Sequence, residues 1–92
     1  MKQETVDNVR LLLQEGKMDE AERLLDKVLQ EDNRDSDAYY WMGNLHRKRC
    51  NWKLALQAYA QAIELNPRSQ AREARQMLLD IVQFRDVQRY NV

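Results

Sequence analysis

Laid over residues 36–69 at an offset of 34, residues 2–35 place like on like. Ala21 falls on Ala55, Leu25 on Tyr59, Val28 on Ala62, Leu12 on His46, Met18 on Trp52 and Asn33 on Pro67. Within each copy the apolar residues recur at three- and four-residue steps, as on one face of a helix. Val6, Val9, Leu12 and Leu13 form the first such series, and Ala21, Leu24, Leu25, Val28 and Leu29 the second. A period of this length, built from two amphipathic helices and a turn, restricts the chain severely. One such unit cannot bury its own apolar faces, so successive units must stack.

Punctuation divides the chain into five expected helices, at about 3–15, 19–31, 37–49, 52–65 and from Ser69 to about 86. Gly16 ends the first, where a turn with positive φ suits glycine. Asp19, Glu20 and Glu22 open the second, where the helix dipole favours acids. The polar break 32–36 ends in good capping residues. Cys50-Asn51 is a turn so short that the flanking helices must run antiparallel and in contact. Asn66-Pro67 ends the fourth helix, because proline biases its predecessor away from helix, and Ser69 can cap the fifth. The apolar face of the fifth helix is read as Ala71, Ala74, Met77, Leu78, Ile81 and Phe84, and residues 87–92 as a fraying tail. With two glycines and one proline in 92 residues, the chain lacks the regular turn residues of a many-stranded β fold.

The second unit resembles the tetratricopeptide repeat (TPR). The family's large residue and its leucine-glycine-like pair correspond to Tyr39, Met42 and Gly43. Its alanine, aromatic and alanine on the second helix correspond to Ala55, Tyr59 and Ala62, and its terminal proline to Pro67. The first unit is a degenerate copy, with Val9 in place of the glycine and Asn33 in place of the proline. The second unit carries Cys50 where the turn glycine belongs, and Asn51 is expected to take the left-handed conformation in its stead. The resemblance implies an all-α fold: an antiparallel helix-turn-helix solenoid of two repeats, 2–35 and 36–69, and a capping helix, 70–86, wound as a right-handed superhelical fragment in a single domain 1–92. The packing positions of the fifth helix match only if one residue is inserted near Ser69.

Chemistry points away from catalysis. Cys50 is the sole cysteine and His46 the sole histidine, too few ligands for a closed metal site, and no nucleophile–base–orienter set is readable. No enzyme activity, cofactor or metal is therefore expected. Lys and Arg together equal Asp and Glu at 15 each, so no global field favours nucleic acid or an anionic membrane. No apolar run approaches the roughly 18 residues that span a bilayer. The chain reads as soluble and cytoplasmic. Tyr39, Trp52 and Tyr59 occupy family packing positions; Tyr40 and Trp41 do not.

The resemblance also implies a protein or peptide partner held in a concave groove lined by the first helix of each pair. The groove positions are Val6, Arg10 and Leu13, then Asp37, Tyr40, Asn44, Arg47 and Lys48, then Arg72, Arg75, Leu79 and Val82. Arg10, Leu13, Tyr40, Asn44, Arg47, Lys48, Arg72 and Arg75 are the candidate peptide-binding residues. Only Asp37 opposes their charge, so an acidic extended or helical segment is the expected ligand. The family's carboxylate clamp for chaperone tails is not reproduced, since Val6, Arg10 and Trp41 replace its lysine and two asparagines. The competing readings are that these charges merely solvate the helices, and that the chain self-associates through its fifth helix.

Overall fold

The computed structural model describes the backbone of residues 1–90 and the side chains of residues 1–83. The expected apolar contribution of Phe84 and the last two residues of the expected tail lie outside the described residues. Five helices follow in order: α1 (Gln3–Gln14), α2 (Met18–Glu31), α3 (Ser36–Lys48), α4 (Trp52–Leu65) and α5 (Ala71–Tyr90). No strand occurs among the described residues. Each helix packs chiefly on its neighbours in the chain, α3 on α4 most extensively, so the molecule is an elongated helical solenoid of 46 × 29 × 18 Å.

The 34-residue period extends to individual backbone hydrogen bonds. After α1, the Gly16 amide donates to the Leu13 carbonyl (3.1 Å) and the Lys17 amide to the Leu12 carbonyl (2.8 Å). After α3, Cys50 donates to Arg47 and Asn51 to His46, both at 2.9 Å. These are two copies of one Schellman closure, which needs a left-handed residue just past the helix. Gly16 supplies it with φ 77° and Cys50 with φ 61°. The expectation that Asn51 would be left-handed is therefore corrected. The closure fixes which residue must invert, and Asn51, at φ −93°, instead caps α4 by accepting the Leu54 amide at 3.3 Å. A left-handed β-carbon costs about 1–2 kcal/mol, while glycine's extra freedom when unfolded costs about 0.5–1 kcal/mol. Cys50→Gly is thus expected to raise stability by about 0.5–1 kcal/mol in a urea titration. A lower midpoint would mean that the cysteine side chain makes a contact worth more than the strain.

The connections between pairs also repeat. The Asp32 amide donates to Val28 and the Asn66 amide to Ala62, each at 2.9 Å. The Asp32 carboxylate then accepts the Arg34 amide (3.0 Å), as the Asn66 side chain accepts the Arg68 amide (3.1 Å). Asn33 thus sits in the same turn as Pro67, because the preceding Asx side chain closes it in both. Asp35 caps α3 by accepting the Ala38 amide at 3.2 Å, which starts that helix at Ser36, one residue before the expected Asp37. The Ser69 hydroxyl accepts the Ala71 amide at 3.1 Å.

Two core clusters flank α3. Val9, Leu13, Ala21, Leu25, Ala38 and Leu45 form the first. Ala55, Tyr59, Ala62, Ala71, Ala74 and Leu78 form the second, joined by Tyr39, Tyr40 and Trp52. Between α3 and α4, the ring of Tyr59 lies flush on the Gly43 backbone, in the space a β-carbon would take. On α5, Ala71, Ala74 and Leu78 are buried, but Met77 and Ile81 are 59% and 43% exposed. Their assignment to the packed face is corrected: they sit 35 residues after Met42 and His46, which α3 turns toward its partner helices, and no further helix follows α5 among the described residues. The helix also continues to Tyr90, past the expected end at 86.

Candidate protein-binding face

Two residues of the basic run 47–49 have defined partners. The Arg49 guanidinium bridges Asp19 at 2.7 Å and Glu22 at 3.0 Å, tying the end of α3 to the start of α2. The Lys48 ammonium donates to the Leu13 carbonyl at 2.9 Å, sharing with the Gly16 amide an end group of α1 that has no partner inside the helix. Arg47 is half-buried. The acids in the first turn of α2 were the available signal for the Arg49 bridge; the carbonyl partner of Lys48 had none.

Aromatic residues fill the space around α3. Tyr40 and Trp41, which the family pattern did not place in packing positions, both pack: Trp41 against the first cluster and Tyr40 against the second. Their rings meet edge-on with centroids 5.3 Å apart, and Tyr40 is 6.2 Å from the Tyr59 ring. The Arg10 guanidinium lies 5.6 Å from the Trp41 ring centroid, within cation–π range, and also pairs with Asp7 at 3.5 Å. The Tyr59 hydroxyl donates to the Asn44 side-chain oxygen at 2.5 Å. Burial pushes that hydroxyl's pKa up to about 12, against the opposing pull of the Arg47 charge.

The candidate residues therefore fall into three local groups. Arg10 stands exposed beside Trp41, while Leu13 is buried in the core and offers only its carbonyl, to Lys48. Tyr40, Asn44 and Arg47 surround Tyr59. Arg72 and Arg75 meet at the α4–α5 junction, in an open cleft of about 820 Å³ that also takes in Ile63, Arg68 and Leu79. Arg68 was absent from the sequence reading because it belongs to a turn and carries no helical periodicity. Among the described residues no ion pair engages Arg47, Arg68, Arg72 or Arg75.

His46 is buried, and its Nδ1 has no hydrogen-bond partner among the described residues. Burial depresses its pKa, with Arg49 adding to the effect and Glu22 and Asp26 opposing it. The unfolded chain therefore takes up a proton near pH 6.5 before the folded chain does. The contribution of His46 to stability is whole above that pH and is lost as pH falls through it. His46→Phe is expected to flatten the decline in urea midpoint between about pH 7.5 and 5.5. It should also stabilise the fold at neutral pH by about 1 kcal/mol, the cost of an orphaned buried polar atom. An unchanged slope would show that His46 does not titrate differently on unfolding.

Among the described residues, no three His, Cys, Asp or Glu side chains converge as a metal site, and no helix is long and apolar enough to cross a membrane. What the fold presents is a row of helix pairs with arginines and aromatic rings along one series of helices, the construction of a helical-repeat interaction module. The tetratricopeptide repeat family matches residues 12–78, and the chain belongs to that family. Its backbone is similar to the solution NMR structure of the Bacteroides fragilis protein BF1650, with 40% identity and a TM-score of 0.82 over 91% of this chain and 84% of that one. No curated protein sequence matches it. Family membership makes the chain, by class, a protein–protein interaction module.

Proposed function

We propose that the chain binds an acidic, extended or helical segment of another protein along α1, α3 and α5. The observation that carries this reading is the set Arg47, Arg68, Arg72 and Arg75, left without carboxylate partners among the described residues in a protein of zero net charge. Guanidinium groups suit carboxylates, which they bind through two parallel hydrogen bonds. Tyr40 supplies an apolar surface beside Arg47. Asn44 contributes a half-buried amide whose oxygen is already held by Tyr59, leaving its NH2 donors for a ligand carbonyl. In this reading residues 1–92 act as one domain of two repeats with a closing helix. The unpaired, exposed Cys50 accords with a reducing, cytoplasmic setting.

The test is a fluorescence-anisotropy titration with a labelled, blocked peptide alternating Glu and Leu. Binding is expected to weaken with salt as the Debye length falls from about 10 Å at 0.1 M to about 3 Å at 1 M. It should weaken severalfold in Arg47→Glu and further in Arg47→Glu with Arg75→Glu, since each exposed contact is worth about 0.2–1 kcal/mol. Equal affinity in the double variant would remove this face as the site. A second reading, self-association through α5, draws on the exposure of Met77 and Ile81. Light scattering that gives a dimer mass, lost in Met77→Glu with Ile81→Lys, would favour it.

A further inference from the structure

The connection that leads into α3 and the one that leads into α5 share a backbone but differ in chemistry. Both are closed by an Asx side chain accepting the amide two residues on, Asp32 to Arg34 and Asn66 to Arg68. Beyond that turn, α3 presents Asp37 and Tyr40, whereas α5 presents Arg72 and Arg75 at the corresponding positions, one residue being inserted. At these three positions one cation, Arg34, thus becomes three, Arg68, Arg72 and Arg75, on the same scaffold. Solvating a helix start does not account for this, because the dipole there favours acids and disfavours cations.

The α4–α5 cleft holds these three guanidinium groups around an apolar floor. Ile63 reaches it from α4 and Leu79 from α5. Two of its polar groups are already engaged: the Arg72 Nη1 donates to the Pro67 carbonyl at 3.3 Å, and the Ser69 hydroxyl accepts the Ala71 amide. The first contact ties the Arg72 guanidinium back to the turn that carries Arg68 and leaves its other donors open. Glu73 is the one carboxylate lining the cleft, and it forms no ion pair with the arginines among the described residues.

We propose that this cleft is the anchoring subsite of the module, taking a peptide segment in which two carboxylates flank an apolar side chain. The carboxylates pair with Arg68, Arg72 and Arg75, and the apolar side chain rests on Ile63 and Leu79. The proposal rests on the acidic-segment reading above and adds to it Arg68, a site of entry and a ligand pattern. Mixed chemistry distinguishes this ligand from a bare phosphate, which has no use for the apolar floor.

The experiment labels the arginine side chains of the full chain with nitrogen-15 and follows their Nε–H signals by NMR. The probes are blocked Glu-Leu-Glu, its uncharged counterpart Gln-Leu-Gln, and inorganic phosphate. Saturable shifts of the Arg68, Arg72 and Arg75 signals with Glu-Leu-Glu alone are the expected result. Shifts of equal size with Gln-Leu-Gln, tighter binding of phosphate, or no shift at millimolar peptide would each overturn the proposal. The longer Glu and Leu peptide then separates the two readings. Arg68→Glu should weaken it severalfold. If Arg68→Glu has no effect while Arg47→Glu does, the long groove stands and the anchoring cleft falls. If Arg68→Glu alone weakens binding, the cleft stands and the groove along α3 falls.

Discussion

Gly43→Leu is expected to be strongly destabilising, with a large fall in the urea midpoint. The Tyr59 ring occupies the place of a Gly43 β-carbon, meeting it with three ring atoms, and Tyr59 is itself fully buried with its hydroxyl tied to Asn44. The ring cannot swing aside without abandoning that bond and opening the α3–α4 interface. Overpacking a core commonly costs about 1–3 kcal/mol, and more when the obstacle is rigid. A chain of this size has about 5–15 kcal/mol in all. Gly43→Ala gives the sharper reading. Alanine gains about 1 kcal/mol over glycine by helix propensity alone, so a net loss isolates the clash. Adding Tyr59→Leu to Gly43→Ala should recover part of the lost urea midpoint, whereas Tyr59→Leu by itself lowers it. Strict additivity of the two changes would show that the residues do not touch.

Leu78→Ala is expected to cost about 2–5 kcal/mol, the usual range for a fully buried leucine, but with a different distribution of damage. Leu78 belongs to the second core cluster and α5 packs chiefly on α4. Hydrogen exchange in the variant should accelerate throughout α5 while α1 and α2 keep most of their protection, as in arrays stabilised neighbour by neighbour. Uniform acceleration across all five helices would show that the two clusters melt as one.

Much of this architecture was written in the apolar spacing. The 34-residue period, the small residues at Gly43, Ala55 and Ala62, and the short turn at 50–51 each carry a direct steric meaning, and the helix pairs follow from them. The exceptions are instructive because each depends on something outside the local pattern. Which residue of Cys50-Asn51 inverts is decided by the hydrogen bonds that close α3, and those are indexed from the end of the helix. Periodicity placed Met77 and Ile81 on an apolar face but could not say whether a following helix would cover them. The candidate face shows the same limit. Spacing put Asn44 and Lys48 on the correct helix, yet their existing partners, the Tyr59 hydroxyl and the Leu13 carbonyl, lie 15 and 35 residues away. Arg68 sits in a turn, where no periodicity applies.

The hydrogen bonds that close the turns bear on how such a chain can lengthen. Each connection is sealed by atoms within about six residues of itself, and the same seal recurs 34 residues later with different side chains. A tandem duplication of residues 36–69 would therefore arrive with its own connections intact at both ends. The new copy would need to satisfy only the side-chain interface it shares with each neighbour. Growth by whole units is cheap under these conditions, whereas a deletion of a few residues inside any helix would shift every later pair out of phase.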